Sequence, residues 1–138
     1  MAYPKPSLTV DLIIINQNRE ILLIKRGKDP FKDKWAFPGG FVNENEPLEV
    51  AARRELAEET TIAEIGELHQ FKTFGDPGRD PRGWVVTVAF AARVEQKLNA
   101  VGSDDAAEAQ WFKLDELPEL AFDHAQILEE YLLWDLAV

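Results

Sequence analysis

Apolar and polar residues alternate along the chain in stretches typical of strands and helices. Residues 8–15 and 20–25 are apolar, rich in β-branched side chains and separated by a polar turn, which predicts a β-hairpin. Further strands are expected at residues 68–74, 84–94 and 110–113. The connecting segments contain most of the prolines and glycines, as loops do.

Two segments have the composition of helices. Residues 47–60 open with a proline, which suits a first helical turn, and continue with good helix formers. Near the C-terminus, Asp123 is followed three residues later by Gln126, a capping-box pattern, and then by an apolar stripe at helical spacing. Strands interrupted by two helices predict an α/β or α+β sandwich that forms a single domain over residues 1–138.

Composition narrows the classes of function. The 15 Lys and Arg residues against 25 Asp and Glu give a net charge of -10, which argues against a general nucleic-acid binder. A phosphate-bearing substrate stays compatible if metal ions bridge the repulsion. The chain has no cysteine, which excludes disulfides, thiolate zinc sites and a cysteine nucleophile. Without a long apolar run or a signal-peptide core, we expect a cytoplasmic protein that does not associate with membranes.

The most informative segment is the acidic helix. On a helix Glu55, Glu58 and Glu59 share one wedge of roughly 100°. Their mutual repulsion and the negative end of the helix dipole both destabilise the helix, so another interaction must compensate for them. Solvation beside two arginines is the commoner explanation of such a face, and a site for a hard divalent cation is the more specific one. The preceding Gly39-Gly40 favours the cation site, since glycine lets backbone approach closely and present a carbonyl oxygen.

This segment resembles the signature of the Nudix hydrolases, G-x5-E-x7-R-E-U-x-E-E-x-G-U, where U is aliphatic. The matching positions are Gly40, Glu46, Arg54, Glu55, Leu56, Glu58, Glu59 and Ile62. The second glycine of the signature is replaced by Thr61. The resemblance implies an αβα sandwich with a mixed sheet between helices, and the order of predicted strands is similar over nearly the whole chain.

Members of that family hydrolyse nucleoside diphosphates linked to another moiety and use Mg²⁺ or Mn²⁺. The resemblance implies a metal site formed by Glu55, Glu58, Glu59 and the carbonyl of Gly39. It also implies a structural ion pair between Arg54 and Glu46. The predicted catalytic residues are Glu55, Glu58, Arg54 and Asp105. Because a β-branched residue is disfavoured at φ > 0, we expect Thr61 to adopt another conformation or the helix to continue further.

Residues 74–83 resemble the loop of ADP-ribose pyrophosphatases. Arg79 and Arg82 are therefore predicted to bind substrate phosphate or ribose-phosphate oxygens. The alternative is a proline-stiffened hairpin loop with solvated arginines. Family members often draw a further acid from a loop near Asp104, Asp105 and Glu108, and the sequence leaves the choice among these three open.

Aromatic and histidine residues give weaker signals. Trp35 and Trp84 are candidates for stacking on an adenine, although packing is the commoner role. Phe37, Phe41, Trp111 and Trp134 are assigned to packing. His124 is expected to open the last helix rather than to act in catalysis.

The leading hypothesis is a Mg²⁺- or Mn²⁺-dependent hydrolase that converts ADP-ribose to AMP and ribose 5-phosphate. A Nudix hydrolase of another nucleotide, such as a triphosphate or a dinucleotide, is the nearest alternative. A non-catalytic ADP-ribose sensor is a third, disfavoured because all three glutamates are intact and the residues after the motif suffice only for the sandwich. The expected partner is a small nucleotide and not nucleic acid, and both a monomer and a homodimer remain open.

Overall fold

The first strand is apolar on both faces, which is typical of a strand inside a covered sheet. The computed structural model describes residues 3–95 and 98–137, so the remaining residues of the predicted domain lie outside the described part. The strands are β1 Ser7–Asn16, β2 Glu20–Arg26, β3 Trp35–Ala36, β4 Gly39–Phe41, β5 His69–Phe74, β6 Val85–Val94 and β7 Ala106–Lys113. The helices are α1 Leu48–Thr60 and α2 His124–Ala137.

The seven strands form one sheet with the order β3-β2-β1-β6-β5, while β4 pairs with β1 and β7 with β2. The β1–β6 pair is parallel and the other pairs are antiparallel, so the sheet is mixed. Alternate residues of β1 face opposite layers. Val10, Leu12 and Ile14 pack with α1, whereas Ile13 and Ile15 pack with α2. The predicted αβα sandwich with a mixed sheet is confirmed.

Most predicted elements lie within a residue or two of the observed ones. The strand predicted at 110–113 begins earlier, at Ala106. The short strands β3 and β4 are absent from the prediction, because two or three residues are too few to show a period. Both are held by neighbours distant in sequence, as β4 is by its antiparallel pairing with β1.

The start of α2 differs from the predicted capping box. The Asp123 carbonyl accepts the Ile127 N–H (3.0 Å), so Asp123 does stand where the helix begins. Its carboxylate, however, is bound to Arg79 and does not cap the helix, so the capping-box prediction is wrong. Neither helix of the described residues is long and apolar enough to cross a membrane.

Helix α1 ends at Thr60, and Thr61 follows with φ 63° and ψ 8°, the left-handed conformation. Its N–H donates to the Ala57 carbonyl, 3.0 Å away. Both expected alternatives for this residue are therefore wrong: the helix does not continue, and the threonine takes the conformation of the signature glycine. A left-handed residue with a Cβ costs about 1–2 kcal/mol, so this turn is strained.

Replacing Thr61 by glycine should therefore stabilise the protein. The relief of strain exceeds the extra chain entropy of glycine, and we expect a gain of about 0.5–1 kcal/mol in the free energy of unfolding. Urea denaturation of the two proteins measures this difference. Thr61→Ala is the matched control, since alanine keeps a Cβ at the same φ. A glycine variant no more stable than the alanine variant would contradict the strain at this position.

Candidate active site

Pairing of β4 with β1 places the diglycine backbone beside the acidic face of α1. Asp11 lies opposite Gly39, and Val10 opposite Gly40. A Cβ on Gly40 would lie 2.6 Å from the Glu55 carboxylate, and one on Gly39 would lie 2.2 Å from the Val10 carbonyl oxygen. At Gly39 the clash would be with backbone, so glycine is required there, whereas at Gly40 the flexible Glu55 side chain would have to move.

Glu59 is the most buried of the three glutamates, with 6% of its surface exposed. Its Oε1 accepts the N–H of Gly39 (2.8 Å). Burial raises the pKa of Glu59 to about 8, and the nearby Glu55 and Asp11 carboxylates add to the rise, whereas the Gly39 hydrogen bond opposes it. A carboxylate in these surroundings is stabilised by any cation that enters the site.

Arg54 organises the remaining carboxylates. Its guanidinium donates to both oxygens of Glu46 (2.7 and 2.9 Å), to Glu55 (2.9 Å) and to Glu58 (3.1 Å). It also donates to the Phe41 carbonyl (3.0 Å), which ties α1 to the end of β4. Hydrogen bonding to Arg54 lowers the pKa of Glu46 to about 2. The ion pair implied by the resemblance is present and acts as a brace between loop and helix.

Burial raises the pKa of Glu55, and the contact with Arg54 only partly opposes this. The donors around Glu55 and Glu59 are oxygens, the ligands that Mg²⁺ and Mn²⁺ prefer. Among the described residues no three acidic or histidine side chains already stand close enough to hold a metal ion. The chemistry of the donors fits a hard cation, and Glu58 would have to leave Arg54 to join the set.

An open cleft of about 280 Å³ runs along this acidic face. An inner cavity of about 50 Å³ continues from it toward α2. The residues common to both are Arg26, Gly39, Gly40, Phe41, Glu59 and Arg82. The cleft therefore combines carboxylates that suit a cation with arginines that suit phosphate oxygens.

Several predicted site residues meet at this cleft. Its walls include Gly39, Arg54, Glu55, Glu59, Arg82 and Asp105. Glu58 adjoins it through Arg54. Asp104 also lines the cleft and Asp105 pairs with Lys28 (3.2 Å), whereas Glu108 pairs with Lys25 (3.4 Å). The position of the two aspartates favours either of them over Glu108 as the acid outside the motif.

The two loop arginines have different surroundings. Arg79 donates to both oxygens of Asp123 (2.8 and 2.6 Å) and to the Val85 carbonyl (3.2 Å), which ties it to the fold, and it also lines the inner cavity. Arg82 is held by Asp80 (3.1 and 2.8 Å) and stacks on the rings of Phe41 and Phe122 (4.8 and 5.1 Å to the centroids). Arg82 thus faces the cleft. Substrate contact stays a prediction for both residues.

The two aromatic residues Trp35 and Phe41 also differ in their surroundings. Trp35 packs edge-on against Phe112, with 4.7 Å between ring centroids, and lies outside both cavities. Its stacking on a base stays a prediction. Phe41, assigned to packing, is instead 41% exposed and lies under Arg82 at the cleft. The packing assignment of Phe41 is therefore wrong, because the ring lines the cleft and contacts the Arg82 guanidinium there.

Further polar residues that line the inner cavity are missing from the predicted site, among them Asp11, Arg26 and His124. Asp11 interrupts the apolar run of β1, and a buried charge in such a run signals a special environment. Arg26 ends β2 where the register with β7 shifts. Burial and the neighbouring Arg82 lower the pKa of Arg26. His124 opens α2 as expected, yet its position also brings it to the cavity.

The raised pKa of Glu59 predicts a pH dependence of stability. An unfolded chain loses this proton near pH 4.3, whereas the folded, metal-free protein keeps it to about pH 8. Between these values the folded state binds more protons, so the free energy of unfolding falls as pH rises, by at most about 1.4 kcal/mol per pH unit. Thermal melting in EDTA from pH 5 to 9 measures the slope.

The Glu59→Gln variant should lose most of that slope and melt higher than wild type at pH 8. Glu49→Gln is the matched control, because Glu49 lies on the same helix in an exposed pair with Arg53. This control should follow the wild-type curve. Parallel curves for wild type and Glu59→Gln would show that Glu59 does not hold the proton.

Comparison with known proteins gives one consistent family. A family model described as NUDIX domain matches residues 5–134. An ADP-ribose pyrophosphatase of Methanocaldococcus jannaschii is 44% identical over 133 residues, which cover 96% of this chain and 76% of that protein. An ADPR responsive transcriptional repressor, NtrR of Acinetobacter baylyi, is 37% identical over 93% of this chain, which spans only 54% of the repressor.

Among solved structures, the NUDIX domain of Shewanella oneidensis NrtR complexed with ADP ribose superposes with a TM-score of 0.83 at 33% identity. The match covers 94% of this chain and 88% of that chain. Relatives of this fold thus include a protein named as a pyrophosphatase and one named as a repressor.

Proposed function

The chain belongs to the NUDIX domain family, and from that premise we propose that it is a divalent-metal-dependent hydrolase that converts ADP-ribose to AMP and ribose 5-phosphate. Membership of the family of Nudix pyrophosphohydrolases was predicted from the motif and is confirmed. The observation that carries the proposal is the junction of Glu55, Glu59 and the Gly39 backbone with Arg82 in one cleft. A diphosphate needs both kinds of partner, since its charge must be neutralised and its oxygens held.

The proposed cation ligands are Glu55, Glu58, Glu59 and the Gly39 carbonyl. When bound, Mg²⁺ or Mn²⁺ supplies neutralisation of phosphate charge and acidifies a bound water. The chain itself prepares this site. Arg54 holds Glu55 in place and releases Glu58 when a cation binds, and the Gly39 N–H fixes the orientation of the Glu59 carboxylate.

Arg82 is proposed to bind the diphosphate. Asp80 and two aromatic rings fix its guanidinium plane, which lowers the entropy lost on binding an anion. Asp105 or Asp104 is proposed as the base that accepts the proton of the attacking water, since both stand at the cleft. Their separate aspartate-to-asparagine variants distinguish the two.

Substrate identity is tested with a panel of ADP-ribose, NADH, diadenosine polyphosphates, sugar nucleotides and nucleoside triphosphates. Each is incubated with Mg²⁺ or Mn²⁺ and with EDTA, and products are separated by chromatography. We expect cation-dependent release of AMP and ribose 5-phosphate from ADP-ribose at the highest kcat/KM. Preference for a triphosphate would keep the proposed metal site and overturn the substrate.

The second candidate is a sensor that binds ADP-ribose without cleaving it, favoured by the 37% identity to a repressor. The intact Glu55, Glu58 and Glu59 favour the enzyme, because a sensor has no need for three carboxylates at a cation site. Tight binding of ADP-ribose with no turnover under any cation would move the sensor to first place.

A further inference from the structure

The inner cavity ends at two buried polar side chains that come from opposite ends of the chain. Asp11 lies in β1 with 7% of its surface exposed, and His124 opens α2 with 4% exposed. Both line the cavity together with Gly39 and Glu59. A Cβ on Gly39 would lie 2.7 Å from Asp11 Oδ1, so this carboxylate oxygen is next to the backbone of the proposed metal site.

The hydrogen bonds of His124 define which ring nitrogen carries the proton. Its Nδ1 accepts the backbone N–H of Phe37 (3.1 Å), and the ring stacks on the Phe37 side chain (4.5 Å between centroids). Burial lowers the pKa of His124, although the Asp11 charge opposes this. A neutral ring whose Nδ1 accepts must hold its hydrogen on Nε2. Nε2 is therefore a donor.

Asp11 likewise has one engaged and one available oxygen. The Thr87 hydroxyl donates to Oδ2 (2.6 Å). Oδ1 lies 3.6 Å from His124 Nε2, which is too far for a hydrogen bond. Among the described residues no side-chain nitrogen or oxygen is both fully buried and unpartnered. The free donor and the free acceptor must therefore both be reachable from the cavity.

We propose that Asp11 Oδ1 and His124 Nε2 form a binding site for a sugar hydroxyl of the substrate. A hydroxyl accepts one hydrogen bond and donates another, so a single hydroxyl can satisfy both atoms. An ionised phosphate oxygen has no hydrogen to donate to Asp11 Oδ1, and it has better partners in the arginines of the same cavity, Arg26, Arg79 and Arg82. An apolar group would leave both atoms unpaired. The cavity of about 50 Å³ has room for such a group.

This inference rests on the proposed function, since it assigns the sugar joined to the diphosphate to the cavity beside Gly39. It is tested with ADP-ribose and the five analogues that lack the 2- or the 3-hydroxyl of either ribose or the anomeric hydroxyl of the terminal ribose. For wild type, at least one analogue should lose about tenfold or more in kcat/KM, because removal of the hydroxyl leaves buried polar atoms unpaired.

Variants locate the effect. In Asp11→Asn and in His124→Gln, the ratio of kcat/KM between ADP-ribose and the sensitive analogue should fall close to one. Thr87→Val is the matched control, since it disturbs Asp11 from its other oxygen and leaves Oδ1 in place. This control should lower the activity on both substrates alike and keep the ratio. A circular dichroism melt of each variant separates loss of folding from loss of recognition.

Two results overturn the inference: wild type that treats all five analogues like ADP-ribose, or a ratio unchanged in both Asp11→Asn and His124→Gln. The first of these results overturns the inference even if both variants fail to fold. If ADP-ribose is bound but not cleaved, the proposed function fails, and the same ratios are read from calorimetric Kd values. A protein that neither binds nor cleaves ADP-ribose overturns both.

Discussion

Replacing Glu58 by glutamine is expected to lower kcat on the preferred nucleotide about a thousandfold. The exchange keeps the shape of the side chain and removes one negative charge from the proposed cation site. Electrostatic stabilisation by a bound metal is worth several kcal/mol, and each 1.36 kcal/mol is a factor of ten in rate. Glu58 is half-exposed, and among the described residues its carboxylate is bonded only to Arg54, so folding should survive. Steady-state kinetics over a range of Mg²⁺ and Mn²⁺ concentrations measures the loss.

The matched control is Glu49→Gln, at the exposed start of the same helix, where the glutamate pairs with Arg53 (3.2 Å). It removes the same charge from the protein and should keep wild-type kcat within about twofold, because an exposed pair is worth little. A Glu58→Gln enzyme that retains more than a tenth of the wild-type kcat would remove Glu58 from the proposed ligands. Equal losses in both variants would mean that net charge alone is responsible.

Replacing Asp123 by asparagine is expected to lower the free energy of unfolding by about 3 kcal/mol and Tm by roughly 10 °C. Asp123 is the carboxylate partner of Arg79, and the two side chains are only 20% and 7% exposed. The variant leaves the arginine charge buried opposite a neutral amide, which is the costly way to break such a pair. Urea and thermal denaturation measure the loss.

Helix α2 offers a closely matched control, since Asp135 forms an ion pair with Arg93 at its other end. Here the side chains are 32% and 47% exposed, so Asp135→Asn should cost less than about 1 kcal/mol. Similar losses in the two variants would show that the Arg79–Asp123 pair behaves like a surface contact. In that case Arg79 would be available for substrate, as the loop resemblance implies.

Helix α1 shows most clearly which structural features can be predicted from the sequence. Its spacing of three glutamates predicts a common face, and its composition predicts the helix to within one residue of the observed start at Leu48. These features are local, since propensity and helical period act over a few residues. The unequal burial of the glutamates is not local. Glu59 is buried because β4 lies over it, and β4 is held by β1.

The site residues that were not predicted from the sequence also depend on contacts between distant parts of the chain. Asp11 and His124 meet only because β1 and α2 are packed together, although the chain between them spans most of the protein. From the sequence alone, Arg79 is predicted to be a loop residue free to bind an anion. The folded chain places Asp123 beside it, and the two form an ion pair. At Thr61 a local preference predicts the wrong conformation. Its residue type disfavours φ > 0, yet it adopts that conformation at the C-terminal end of α1.

The parallel pairing of β1 with β6 has a consequence for the order of assembly. Ser7 pairs with Val85 and Asn16 with Val94, so the centre of the sheet closes only after the intervening chain has been brought into a large loop. Helix α1 lies within that loop, and the surface that covers Ala51, Ala52 and Leu56 includes Val88 and Phe90 of β6. A nascent or partly unfolded chain without β6 has no complete surface for the glutamate-bearing helix. The glutamate-bearing face of α1 should therefore take up its native position only when β1 and β6 pair, which is a slow step because these strands are far apart in the sequence.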